Sequence, residues 1–176
     1  IGSHRSKIEA QLPAETIDAC AGMFACSGAE MWIGERLIYR KQHTFPVDMV
    51  ETVERLVGSS AYEGRCSKPV ECHPGTVNLS TIGHDATREE RGKYHLWDQL
   101  TGERQEFIRI LQSSFPQYEV SAGGQVSIDI VPRGWTKAVA KTEIERHHPH
   151  CSITFFGDRM QEGGNDKPLA DVLQSN

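Results

Sequence analysis

The chain has 176 residues and a net charge of −5, with 38% hydrophobic and 24% charged residues. This length suffices for one domain with a sizeable core, or for one that carries a smaller inserted domain. The acidic balance argues against a nucleic-acid-binding face, and no run of about 18 apolar residues predicts a membrane span. The five cysteines show no CxxC spacing, so we expect free thiols in a reducing cytoplasm rather than a zinc site.

The first half of the chain predicts short helices and hairpins. A helix is expected over residues 6–11, and a hairpin over 31–40, where a Gly-Glu turn separates two apolar runs. The apolar spacing over 45–58 predicts an amphipathic helix. A second hairpin is expected over 69–83, because its alternating residues flank a Pro-Gly pair that fits the middle of a type II turn.

The middle of the chain predicts two helices and a strand. Thr87 and Glu90 match a capping box for a helix that runs to about Trp97, and a second helix is expected near 102–114. Strict alternation over 123–132 predicts a half-buried strand.

One face of that strand carries Gln125, Ser127 and Asp129. Such a polar face ordinarily meets bulk water, but an amide, a hydroxyl and a carboxylate in line would also suit a polyhydroxy ligand.

The last part of the chain predicts a helix, a strand and a helix. The first helix is expected over 134–146, with Thr136 or Lys137 in its first turn. The apolar run 151–158 predicts a fully buried strand of a parallel sheet. A final helix is expected to begin after Asp166 as its N-cap. The chain ends therefore indicate an α/β domain, and the middle indicates an antiparallel α+β insert.

Two carboxylates, Asp158 and Asp166, flank a loop that contains Gly163 and Gly164. Ligands of open α/β sheets sit beyond the carboxyl ends of the strands, and carboxylates there suit Mg²⁺. The alternative is a surface turn followed by an aspartate helix cap, and the spacing alone favours neither.

Two C-terminal stretches, GGQVSIDIVPRGWTK and FFGDRMQEGGND, closely resemble the eukaryotic-type phosphomannomutases of the haloacid dehalogenase superfamily. Upstream, GSHRSKIEAQL, SGAEMWIGERLIYR and IGHDATREER are similar to further segments of that family, although Ser27-Gly28-Ala29 departs from its ENG hairpin. The resemblance implies an α/β fold with an incomplete haloacid dehalogenase-like Rossmannoid core, residues 1–40 and 132–176. It also implies an inserted α+β cap domain, residues 41–131.

The resemblance also implies a mechanism in which an aspartate attacks the phosphate and becomes an aspartyl-phosphate. Ser3 would donate a hydrogen bond to the phosphoryl oxygens, and Lys137 would neutralise the nucleophile and the phosphate. Asp158 would bind Mg²⁺, and Asp166 would support the metal loop. On this basis Lys137→Ala is expected to leave folding nearly unchanged while it costs several kcal/mol of transition-state stabilisation.

The chain departs from the family pattern at the first motif. The family's nucleophile lies in an Asp-x-Asp-Gly-Thr sequence, and no such sequence occurs in these 176 residues. We therefore expect that motif in a segment upstream of Ile1, and we expect the chemistry to require it.

A second departure concerns the cap. The family's cap holds the distal phosphate or the sugar with several arginines, and Arg91 matches one of them. His73 and His84 stand where two others are expected, and histidine lacks the fixed charge and the fork of arginine. Ser127 and Asp129 match the family's sugar-binding strand.

Three functions follow from these observations. A Mg²⁺-dependent phosphomannomutase-like transfer on a hexose phosphate comes first, from mannose 6-phosphate to mannose 1-phosphate. A phosphosugar phosphatase comes second because of the two histidines, and a truncated, non-catalytic binding module comes third because the first motif is absent. The expected partner is a phosphosugar, and any self-association is expected to be a homodimer formed through the cap.

Overall fold

A computed structural model describes residues 2–174 of the chain. Its elements in chain order are α1 (Arg5–Gln11), α2 (Ala14–Asp18), β1 (Met23–Ala25), a 3₁₀ turn (Cys26–Gly28), β2 (Glu30–Ile33), β3 (Arg36–Arg40), α3 (Val47–Ser59), β4 (Val70–His73), β5 (Thr76–Ser80), α4 (Arg88–Thr101), α5 (Glu103–Ser114), β6 (Tyr118–Gly123), β7 (Ser127–Pro132), α6 (Val139–His147) and α7 (Lys167–Gln174). Within residues 2–174, no helix is both long enough and apolar enough to cross a bilayer.

The chain divides into two compact units. The first contains the residues up to His43, the segment His73–Thr76 and the residues from Gly134 onward. The second contains Thr44–Cys72 and Val77–Arg133.

The first unit holds a three-stranded antiparallel sheet in the order β1-β2-β3. The predicted hairpin over 31–40 is confirmed, since β2 and β3 form its two paired, antiparallel strands. Ile8 of α1 packs with Ala25, Cys26 and Ala29 in a small core beside this sheet. Helix α6 packs on α7 in the same unit.

The second unit holds most of a four-stranded antiparallel sheet in the order β4-β5-β7-β6. The predicted hairpin over 69–83 corresponds to β4 and β5, which are neighbours in this sheet. One sheet face carries apolar side chains that pack with residues of α3 and α5, and these form the larger core: Met49, Val53, Leu56, Val77, Leu79, Phe107, Leu111, Val120, Ile128 and Ile130. Thr87 and Glu90 form the predicted capping box at the start of α4.

The prediction of a buried parallel strand over 151–158 is wrong. This segment forms no regular secondary structure and pairs with no strand in residues 2–174, and Phe156 is 88% exposed. An apolar run becomes a buried strand only when neighbouring strands satisfy its backbone groups and cover both faces. The part of the chain that the structure describes supplies no parallel neighbour, so the composition alone misled the prediction.

The helix predicted over 134–146 begins later, at Val139. The preceding residues form turns, with backbone N–H groups bonded three residues back, from Val139 to Thr136 and from Ala140 to Lys137. Lys137 therefore lies in a turn before α6 rather than in its first helical turn. Helix α2 and strands β1 and β6 were not predicted.

Candidate functional site

The loop of residues 157–166 closes around the carboxylate of Asp166. A Cβ atom at Gly157 would lie 2.9 Å from Cγ of Asp166, so the glycine leaves room for the carboxylate. A Cβ atom at Gly164 would lie 2.1 Å from the carbonyl oxygen of Arg159. That carbonyl also accepts a 3.1 Å hydrogen bond from the Asp166 N–H. The glycines are thus required by contacts inside the loop itself.

Asp166 is buried, and both of its carboxylate oxygens accept hydrogen bonds. Oδ1 accepts a bond of 2.6 Å from Nζ of Lys137, and Oδ2 accepts one of 3.0 Å from the Arg159 N–H. Burial raises the pKa of the Asp166 carboxyl, but Lys137 and the backbone N–H groups of Arg159 and Asp158 outweigh it and hold the pKa below its usual value. Asp166 is therefore a fixed negative charge at neutral pH.

Lys137 is directed into the same loop. Its Nζ donates to Oδ1 of Asn165 at 3.1 Å as well as to Asp166, and its side chain is only 15% exposed. The structure thus brings together Lys137 and Asp166, which are 29 residues apart in the sequence. The result is an ammonium group held in place by a carboxylate and an amide oxygen.

Asp158 differs from Asp166 in its surroundings. It is exposed, and its carboxylate makes no hydrogen bond or ion pair with any residue between 2 and 174. Mg²⁺ is bound in proteins through one or two carboxylates while it keeps several waters. The Asp158 carboxylate could therefore hold Mg²⁺ directly, whereas both oxygens of Asp166 already serve the loop and Lys137. These residues fit a magnesium site with one protein carboxylate as ligand.

Ser3 lies just before α1 and is half-buried. Its backbone carbonyl accepts a 3.0 Å hydrogen bond from the N–H of Cys26, which fixes the segment beside β1. Within residues 2–174, no hydrogen bond joins Ser3 to Lys137, Asp158 or Asp166. His73, at the end of β4, belongs to the same unit, and its ring centroid lies 4.6 Å from that of His4.

The polar face of the sheet in the second unit carries Ser127 and Asp129. Register places Asn78 and Ser121 on either side of Asp129, and Asn78 Nδ2 donates to Oδ1 of Asp129. Asp129 is buried, although it lies on the polar face of a strand that the sequence predicts to be half-buried. The side chain is oriented by its cross-strand neighbour, which sets the direction of its second carboxylate oxygen.

Arg91 and His84 also lie in the second unit. The Arg91 guanidinium donates from Nε to the carbonyl of Ala86 at 2.9 Å and from Nη2 to the carbonyl of His84 at 2.7 Å. Nδ1 of His84 lies 3.8 Å from Oε2 of Glu71. Arg91 therefore anchors the segment before α4, and this leaves its fork only partly available to a phosphate.

Sequence reasoning missed Asn165, Gly157 and Asn78 as parts of these sites. Asn165 directly precedes Asp166, so its oxygen could have been considered with the carboxylates. Gly157 directly precedes Asp158, but its contact with Asp166 depends on how the loop closes. Asn78 could be found only from the register of β5 against β7, which the sequence does not reveal.

Comparison with known proteins identifies the family. The sequence profile of the eukaryotic phosphomannomutases matches residues 2–171, which is nearly the whole chain. The chain belongs to the eukaryotic phosphomannomutase family. A phosphomannomutase of Drosophila melanogaster is 37% identical over 99 residues, 55% of this chain and 39% of that relative. A phosphomannomutase of Babesia bovis is 28% identical over 176 residues, 94% of this chain and 70% of that relative.

The fold comparison agrees with the family. The C-terminal domain of the Candida albicans trehalose synthase regulatory protein superposes with a TM-score of 0.53 at 11% identity, over 85% of this chain and 48% of that one. The structure is a mixed α/β fold, in agreement with the predicted fold class. The chain matches only 39% of the length of the first curated phosphomannomutases with which it aligns.

Proposed function

We propose that the protein transfers a phosphoryl group on a hexose phosphate with the aid of Mg²⁺, as a phosphomannomutase does. The observation that carries this proposal is the buried contact of 2.6 Å between Lys137 and Asp166, inside two segments that match the family. A loop that fixes an ammonium group and leaves one carboxylate exposed suits phosphoryl transfer, which depends mainly on positioning and on charge stabilisation.

Each residue of the loop has a distinct task in this proposal. Asp158 holds Mg²⁺, which neutralises charge on the transferring phosphoryl group when it is bound. Lys137 offers its ammonium to the phosphate and to the nucleophile, and Asn165 and Asp166 keep Nζ at a fixed place. Ser3 donates its hydroxyl to the phosphoryl oxygens. The attacking group in this proposal is an aspartate of the family's Asp-x-Asp-Gly-Thr motif, a sequence that these 176 residues do not contain.

The two compact units support the proposed domain division, except that the segment His73–Thr76 groups with the first unit. We assign residues 1–40 and 132–176 to the core, which carries the phosphoryl-transfer groups, and residues 41–131 to the cap. In the cap, Ser127 and Asp129 bind sugar hydroxyls, because a carboxylate oriented by Asn78 presents a fixed acceptor.

The phosphatase alternative is favoured by one specific observation. Two guanidinium nitrogens of Arg91 donate to backbone carbonyls. His73 and His84 stand at two positions where the family pattern has arginine. A mutase must hold a bisphosphorylated intermediate at both ends, whereas a phosphatase needs one phosphate site. The mutase comes first because the family match covers residues 2–171.

One assay on the full-length protein separates these functions. Isomer formation and free phosphate are measured together, with mannose 6-phosphate and a bisphosphate activator. A mutase yields mannose 1-phosphate, and replacement of both His73 and His84 by arginine should raise the ratio of isomer to phosphate. His150→Arg, in an exposed loop, is the matched control. Stoichiometric phosphate release without isomer would establish the phosphatase, and no turnover of any kind would favour the non-catalytic module.

The cellular setting and the assembly remain part of the proposal. Cys20, Cys66, Cys72 and Cys151 are exposed free thiols, which suits a reducing cytoplasm. Leu96 and Leu100 are 63% and 88% exposed and four residues apart on α4, which suits a homodimer formed through the cap.

A further inference from the structure

Two histidines of the first unit, His4 and His73, are in contact, and the proposed phosphoryl-transfer site assigns no role to this pair. Their ring centroids lie 4.6 Å apart at an interplanar angle of 41°, and a ring nitrogen of one lies within 4.8 Å of a ring nitrogen of the other. They come from distant parts of the sequence, the residue before α1 and the last residue of β4. We propose that His4 and His73 bind a Zn²⁺ ion between their imidazoles.

The nitrogen atoms are close enough for a shared metal. A Zn–N bond of about 2.0–2.1 Å and a tetrahedral angle place two ligand nitrogens about 3.3 Å apart. The two ring nitrogens lie up to 4.8 Å apart, so the half-buried rings must approach by as much as about 1.5 Å to share the ion. Water fills the other coordination positions, as it does where the protein offers fewer than four ligands.

The orientation of the His4 ring suits metal binding. Its Nδ1 lies 2.8 Å from the hydroxyl oxygen of Ser6, which can accept a hydrogen bond from an Nδ1–H. Such a bond from the non-ligating nitrogen is the usual support of a metal-bound histidine, and it leaves Nε2 with a lone pair for the metal. In the structure the Lys7 N–H donates to Nδ1 at 3.3 Å, so the His4 side chain caps the start of α1. Metal binding at Nε2 requires the proton to move to Nδ1, and the Lys7 N–H then keeps the His4 carbonyl at 3.1 Å as its acceptor.

The ligand chemistry separates this site from the carboxylate loop. Imidazole nitrogens suit Zn²⁺ and Cu²⁺, whereas Mg²⁺ prefers carboxylate and water oxygens. The site at His4 and His73 should therefore bind Zn²⁺ in the presence of excess Mg²⁺.

The test is a calorimetric titration of the protein with Zn²⁺ in the presence of excess Mg²⁺, after alkylation of the exposed thiols. We expect one site per chain in the wild type. His73→Gln and His4→Gln should each weaken it by at least about tenfold, because the loss of an outer-shell partner alone costs about 10–100-fold. Ser6→Ala should weaken it by about tenfold while both imidazoles remain. In NMR spectra, Zn²⁺ should fix the proton of His4 on Nδ1.

The controls are the histidines of the exposed loop after α6. His148→Gln and His150→Gln should leave the affinity unchanged. Unchanged binding in His73→Gln would overturn the proposal, as would loss of binding in either loop variant. His73 does not cap a helix, so His73→Gln remains informative even if His4→Gln weakens α1.

Discussion

The substitution Asp166→Asn tests how the candidate loop is held together. It keeps the size of the side chain but removes the charge that faces Nζ of Lys137 at 2.6 Å. An amide also offers only one acceptor oxygen, so it cannot serve both Lys137 and the Arg159 N–H. The ammonium group of Lys137, 15% exposed, is left with Asn165 as its acceptor.

The expected cost follows from the burial of the pair. Removal of one partner of a buried ion pair costs about 3–5 kcal/mol, because the other charge stays buried without compensation. The oxygen of Asn165 and the partial exposure of Lys137 place the expected loss near the lower limit, about 3 kcal/mol.

Urea unfolding gives the overall change in free energy, and hydrogen exchange of the Arg159 amide gives the local one. Asp171→Asn is the matched control. Asp171 also pairs with a lysine, Lys167 at 2.9 Å, but its side chain is 53% exposed, so its loss should change stability far less. Equal effects of the two substitutions, or unchanged protection of the Arg159 amide in Asp166→Asn, would show that the charge of Asp166 does not hold the loop together.

Two further predictions concern pH and the polar sheet face. The folded pKa of Asp166 lies below its ordinary value of 3.8. Its contribution to stability is therefore complete above pH 3.8 and is lost as pH falls through the folded pKa. In acid unfolding, the difference in unfolding free energy between wild type and Asp166→Asn should close in that range. Gly123→Ala would place a Cβ 2.9 Å from Oδ2 of Asp129, and moving that carboxylate should raise the KM for the phosphosugar while the circular dichroism spectrum is kept. Gly92→Ala, on α4 with open space around it, should leave KM unchanged, and equal KM values in both variants would contradict the sugar-binding role.

The sequence predicted the elements that local signals determine. The capping box of α4, the apolar spacing of α3 and the two hairpins were all visible because each depends on residues a few positions apart. Strand β6 was missed because it has a weaker alternation, and only its pairing with β7 makes it a strand.

The segment 151–158 shows why composition alone does not predict burial. Its apolar residues match those of a parallel strand, but a strand forms only beside neighbouring strands. Within residues 2–174 the segment has no such neighbour, and Phe156 is exposed. The family motifs, by contrast, pointed to Lys137 and Asp166, which the structure brings together in one loop.

The pairing of Lys137 with a buried carboxylate changes one expectation from the sequence. From the sequence, Lys137→Ala is expected to leave folding nearly unchanged. Because Nζ bonds to both Asn165 and Asp166, we now expect this substitution to destabilise the loop as well. Lys137 thus contributes to structure as well as to the proposed chemistry.

In the proposed function, the loop of residues 157–166 carries the magnesium-dependent chemistry, with Asp158 as the metal ligand. The measurement that tests it most directly is the Mg²⁺ dependence of phosphosugar turnover in the full-length protein with Asp158→Asn. Asp171→Asn serves as the control for the loss of an exposed carboxylate. If Asp158 is the metal ligand, turnover at saturating Mg²⁺ falls by at least about 10²-fold in Asp158→Asn alone. Unchanged turnover with an unchanged half-saturating Mg²⁺ concentration would contradict it.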